Sequence, residues 1–198
     1  MIYAPPLRYH QTMRPVTAID GAHMSLTLSG PATGRTVVIF EEPARRQESY
    51  DILRERLHLA MFRVAGIPAH NGMDEKSVIS FLDQLKITGA LLVGDRAGGE
   101  LAWDMAAGYG ERFTGLVAID CGHPKVPDVD GIVRDEGCPN VELDTTILVS
   151  SRAAHSVARA SRRHVRAEFR LAELAGPRNS RHFTAQLATE IVVRALSR

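Results

Sequence analysis

Four short runs constrain this chain more than anything else in it: TVVIF (Thr36–Phe40), ALLVG (Ala90–Gly94), TGLVAID (Thr114–Asp120) and TTILVS (Thr145–Ser150). Each is almost continuous in apolar or β-branched residues. Runs of that kind suit strands covered on both faces, as in parallel sheets flanked by helices. Helical spacing lies between them. Tyr50, Leu53, Leu57 and Ala60 recur on one face, as do Val78, Phe81, Leu82 and Leu85, and then Leu101, Ala102, Met105 and Ala106. His23–Gly30 alternates as a half-exposed strand, FRVAGI and AEFRLAEL suit further strands, and HFTAQLATEIVVRAL closes the chain as a helix. The alternation predicts an α/β domain, doubly wound, with a mostly parallel sheet of about six to eight strands and helices on both faces.

With 198 residues, 44% of them hydrophobic, the chain can bury one good core. The expected organisation is an N-terminal arm over residues 1–15 and a single domain over 16–198. A net charge of +1 gives no general attraction to nucleic acid or membrane. No stretch approaches the ~18–20 apolar residues of a membrane span, and the first residues lack a basic segment followed by an apolar one. Cys121 and Cys138 make no disulfide framework, so a reduced cytoplasmic setting is expected. His and Cys show no metal-ligand spacing, and no metal or other cofactor is expected. The basic stretch Arg159–Arg170 suits a solvated helix face, with phosphate contact as the alternative.

In a doubly wound sheet the site lies beyond the carboxyl ends of the strands. The tips are therefore Glu41–Pro43, Asp95–Ala97, Asp120–His123 and Ser150–Ala154, together with the last loop before the closing helix, near His182.

Four segments at those tips, VGDRAGGELAWDMAAGYGERFTGLVAID, TVVIFEEPARR, TTILVSSRAAHSV and SRHFTAQLATEIVVRAL, resemble the α/β-hydrolase family in order and spacing over about residues 16–198. The resemblance implies a nucleophile elbow at Gly94-Asp95-Arg96-Ala97-Gly98 and an oxyanion loop at Glu41-Glu42-Pro43. It also puts the catalytic acid's place at Ala154, the family's histidine at His182, and a minimal lid at 123–143, too short for a helical cap domain.

The residues at those places depart from the family's chemistry. The elbow normally displays a serine on a strained strand-to-helix turn. Arg96 stays protonated and offers only donors, so it cannot attack a carbonyl. Asp95 is adjacent but points differently, and suits a polar residue favoured by the helix dipole. Ala154 cannot serve as acid. Asp120 is the candidate for a relocated acid; otherwise it is a strand-end aspartate bonding nearby N–H groups. Glu41 and Glu42 would oppose an oxyanion, and Pro43 lacks a backbone donor. The Ala97 N–H could still donate from the helix start. His182 is a candidate general base if partnered, and a structural hydrogen-bonder otherwise. His123 and His155 also lie near strand tips. Cys121 suits a small buried hydrophobe better than a reactive thiol.

Arg96 is expected to pair with Glu41 or Glu42, and with Asp120 as well. The expectation for function is a catalytically inactive α/β-hydrolase-like protein, a pseudoenzyme, binding a small ligand or a protein partner at the former active site. The alternative is an esterase, thioesterase or lyase with rearranged machinery built on His182 and Asp120. A third possibility is one subunit of an assembly, including a homo-oligomer.

Overall fold

The computed structural model describes residues 11–18, 21, 23–42, 47–69, 73–178 and 180–197. Eight strands form one sheet: β1 (Thr12–Thr17), β2 (His23–Ser29), β3 (Thr36–Glu41), β4 (Arg63–Pro68), β5 (Ala90–Asp95), β6 (Phe113–Ile119), β7 (Thr145–Val149) and β8 (Phe169–Glu173). Their spatial order is β1-β2-β4-β3-β5-β6-β7-β8. β2 runs antiparallel to β1 and β4; all other neighbours are parallel. Five helices accompany them: α1 (Gln47–Leu59), α2 (Glu75–Gln84), α3 (Ala97–Gly108), α4 (Arg152–Ser161) and α5 (Arg181–Leu196).

The buried runs are covered on both faces because successive strand side chains point to opposite sides. Val37, Ile39, Leu91, Val93, Val117 and Ile119 pack with Tyr50, Leu53 and Leu57 of α1 and with Phe183, Leu187 and Ile191 of α5. Their neighbours Val38, Phe40, Leu92, Leu116 and Ala118 pack on the other face, against α2, α3 and α4. Trp103, Phe40 and Phe81 are the largest side chains buried there. A strand shifted by one residue would exchange these two sets, so the register is firmly set.

Residues 12–15 of the expected arm lie in a strand. Thr12–Thr17 is an edge strand paired along its length with β2. Only Val16 of its residues is buried. A strand with one buried residue and a proline at its centre carries no readable alternation, and proline is tolerated at an edge. Residues 1–10 of that arm, and the expected Asn71-Gly72 turn, lie outside the described residues.

Between β6 and β7 the chain makes no helix or strand, only an isolated bridge of Val141 to Val165. His123 pins this segment. Its backbone N–H donates to Ser161 Oγ at 2.9 Å. Its Nε2 meets the Pro139 carbonyl at 2.8 Å and must carry the proton; Nδ1 accepts the Lys125 N–H at 3.2 Å. The ring stacks on His164 and meets Trp103 edge-on. Burial therefore drives the His123 pKa from 6.5 down to about 4. The folded state keeps this ring neutral where the unfolded chain binds a proton. Its contribution is full above pH 6.5 and is lost as pH falls toward 4, up to about 3 kcal/mol. His58 and His164 shift in the same direction. Thermal denaturation across that window should show stability falling on acidification, with a flatter slope in His123→Gln; an unchanged slope in the variant would contradict the assignment.

Candidate functional site

β5 ends at Asp95 and α3 begins at Ala97, so Arg96 makes the whole turn alone, at φ 48 and ψ −114. Its N–H donates to the Ile119 carbonyl at 3.1 Å, and its carbonyl accepts the Glu100 N–H at 2.8 Å. The turn is this tight because two glycines let three backbones approach. A Cβ on Gly94 would lie 2.1 Å from the Gly98 carbonyl oxygen, and one on Gly98 would lie 2.5 Å from that of Phe40. The backbone of a nucleophile elbow is thus present, and it displays an arginine in a conformation that costs a non-glycine residue about 1–3 kcal/mol.

The expected pair of Arg96 with Glu41, Glu42 or Asp120 is not formed. Arg96 is exposed, caps nothing with its side chain, and has no ion-pair partner among the described residues. The reason is competition. Arg54, buried on α1, takes the Glu41 carboxylate and also bonds Asp51 at 2.8 Å. Burial pushes the Glu41 carboxyl above its ordinary range, and Arg54 opposes that in part. At Glu42 the backbone N–H, beside the old oxyanion loop, donates to the Tyr50 hydroxyl oxygen at 2.7 Å. Pro43 lies outside the described residues.

Asp120 is held by Arg178, in the loop between β8 and α5. The other arm of the same guanidinium holds Asp95. The Ser150 N–H donates to Asp120 Oδ1 at 2.6 Å, completing a strand-end aspartate bonded to backbone as well as to a cation. Burial pulls the Arg178 pKa down, but the two aspartates outweigh it and hold the guanidinium above its ordinary value. Asp95 is thus a buried ion-pair partner at the end of β5. Arg178 was missed from the sequence. Its only signal there is a cation in the GPRNS loop, immediately before the closing helix that carries His182.

His182 lies in the first turn of α5 and is exposed. Among the described residues no hydrogen bond joins it to Asp120, which Arg178 and Ser150 already engage. Ala154 is in the first turn of α4, its N–H donating to the Ser151 cap at 3.2 Å. Cys121 is a free thiol, partly removed from water, at the cavity. Burial, with the Asp95 charge adding to it, raises its pKa. Its Sγ packs so close to Gly99 that a Cβ there would come within 2.2 Å. Among the described residues no cluster of His, Cys, Asp or Glu could hold a metal.

Arg96, Glu100, Asp120, Val126, Ala154 and Val157 are among the residues lining a cavity of about 360 Å³. His123 and Asp128–Asp130 of the loop after β6 close its other side. The cavity shares Ser150 and Ser151 with a neighbouring one of about 610 Å³, lined also by His155 and Glu173.

No protein-family model and no curated protein matches the chain. Solved structures do. Epoxide Hydrolase A from Mycobacterium thermoresistibile superposes with a TM-score of 0.73 at 10% identity, over 93% of this chain and 98% of that one. A hydrolase from Pseudomonas aeruginosa gives 0.69 at 15% identity, over 93% and 97%. The esterase domain from a Rhodothermus marinus protein gives 0.68 at 12%, over 93% and 96%. The chain has the α/β-hydrolase fold. At such identities the likeness is one of fold, and activity rests on the site.

Two substitutions separate the arginines. Arg178→Ala leaves Asp95 and Asp120 without their cation and should lower unfolding free energy by about 3–5 kcal/mol. Arg96→Gly should instead raise stability by about 1 kcal/mol, because strain relief exceeds glycine's extra unfolded-chain entropy. Denaturant unfolding of both variants measures this; a destabilised Arg96→Gly would show that Arg96 makes contacts that hold the fold.

Proposed function

We propose that this protein binds a small ligand in the cavity at the elbow and forms no covalent acyl intermediate there. One observation carries the reading: the elbow displays, at a cavity, Arg96, which has no ion-pair partner among the described residues. Its guanidinium has no lone pair for attack and stays protonated. Two further features support it. Arg178, in the loop before the helix that carries His182, holds Asp95 and Asp120 and binds rather than transfers protons at any working pH. The Glu42 N–H is already engaged by Tyr50. A concave cavity of this volume, with Val126, Ala154 and Val157 on its wall beside several charged groups, suits a small molecule better than a protein segment.

The second reading is a hydrolase with rearranged machinery, favoured by the epoxide hydrolase and esterase among the structural neighbours. In it His182, exposed at the start of α5, acts as base toward a water. The two readings differ in one assay. With p-nitrophenyl acetate, and with styrene oxide as an epoxide probe, the first expects the wild-type protein and His182→Ala to give the same background rate. Turnover that falls at least tenfold in His182→Ala would replace the first reading with the second.

No described helix is long and apolar enough to cross a membrane. The basic stretch is partly engaged within the domain: Arg170 pairs with Glu190, and Arg162 lies over the Phe169 ring. Neither feature adds a nucleic-acid or lipid partner to the proposal.

A further inference from the structure

We infer that the cavity takes a small monocarboxylate with an apolar body, its carboxylate held by Arg96. The inference rests on the reading of the cavity as a ligand site and adds the ligand's chemical class. Charge around the cavity decides the class. Of its two cations, Arg134 is ion-paired through Nη1 with Asp104 at 3.2 Å and lies 3.9 Å from Glu100, while its Nη2 is buried with no hydrogen-bond partner among the described residues. Asp120 belongs to Arg178. Asp128 accepts the N–H groups of Asp130 and Ile132, each at 2.9 Å. Arg96 is left as a cation with no partner among the described residues, held in a backbone conformation that glycine would adopt at lower cost. A guanidinium fork matches one carboxylate through two parallel hydrogen bonds. A dianion such as a phosphate monoester would meet repulsion from Glu100, Asp128 and Asp130, which line the same cavity.

The rest of the lining is apolar where a hydrocarbon would lie. Val126, Ala154 and Val157 are buried at the wall. Val129 contributes from the loop after β6 and is 58% exposed, an apolar side chain that a ligand body would cover. A volume of about 360 Å³ is at the small end of ligand pockets and excludes long acyl chains lying wholly inside.

Three probes with one shared chain test the class: hexanoate, 1-hexanol and hexyl phosphate, titrated into the full-length protein and followed by NMR shifts. Hexanoate should bind at least tenfold more tightly than either of the others, with the largest shifts at Ala154 and Val157. Arg96→Gln, checked for an unchanged fold by circular dichroism, should bring hexanoate to the affinity of hexanol. If hexanol matches hexanoate and Arg96→Gln changes nothing, the carboxylate class fails while the cavity remains a ligand site. If hexyl phosphate binds best, the class is overturned in favour of a phosphate. If none of the three shifts any cavity residue, both the class and the binding reading fail.

Discussion

Arg178 placed between Asp95 and Asp120 is the interaction on which the carboxyl edge of the sheet depends. Asp95 ends β5 and Asp120 follows β6, and these strands are hydrogen-bonded neighbours. Two carboxylates on adjacent strand ends, both largely removed from water, would repel and carry a heavy desolvation cost. One guanidinium satisfies both and ties the loop before α5 to the middle of the sheet. Ion pairs of this kind add little net stability over a packed apolar substitute, but removing one member is severe. Their yield is geometry. Here that geometry withdraws both aspartates from Arg96.

The same division of labour recurs away from the site. Buried Arg54 on α1 takes Glu41 at the end of β3. Buried Arg194 on α5 donates to Thr146 Oγ1 at 2.9 Å and pairs with Glu168 at 3.2 Å. Arg134 crosses from the loop after β6 to Asp104 on α3. The chain has only three lysines, and its interior electrostatics are arranged through guanidinium forks, which lose less on ordering than a flexible ammonium. Arg96 differs from these arginines: it is exposed, stands at a positive-φ position of the site, and has no ion-pair partner among the described residues.

Much of this was legible in the sequence, for identifiable reasons. Continuous β-branched runs and 3.6-residue spacing reflect burial on two faces and one face respectively, so the strands from β2 onward and the helices could be read from pattern alone. The elbow was readable because Gly94 and Gly98 are required by contacts below 3 Å. β1 was not, because Thr12–Pro15 are exposed and bury nothing that would leave a period. The charge pairing was not legible either. Arg178 is 83 residues from Asp95 and 58 from Asp120. The facing of the strand ends made Glu41 and Glu42 look like partners for Arg96, whereas Arg54 of α1, thirteen positions after Glu41, holds the Glu41 carboxylate.

The elbow's shape and the elbow's chemistry are set by different residues, and this separates what fold likeness can say from what the site says. The strained turn at residue 96 follows from backbone contacts among Phe40, Gly94 and Gly98. Those contacts do not involve the side chain that the turn displays. A serine or an arginine at residue 96 would therefore give the same backbone and superpose equally well on an epoxide hydrolase or an esterase. The side chain alone decides whether the position attacks or attracts. A guanidinium brings donors and a fixed positive charge, and in a cavity whose other cation is ion-paired with Asp104, that charge is what the proposed carboxylate would meet.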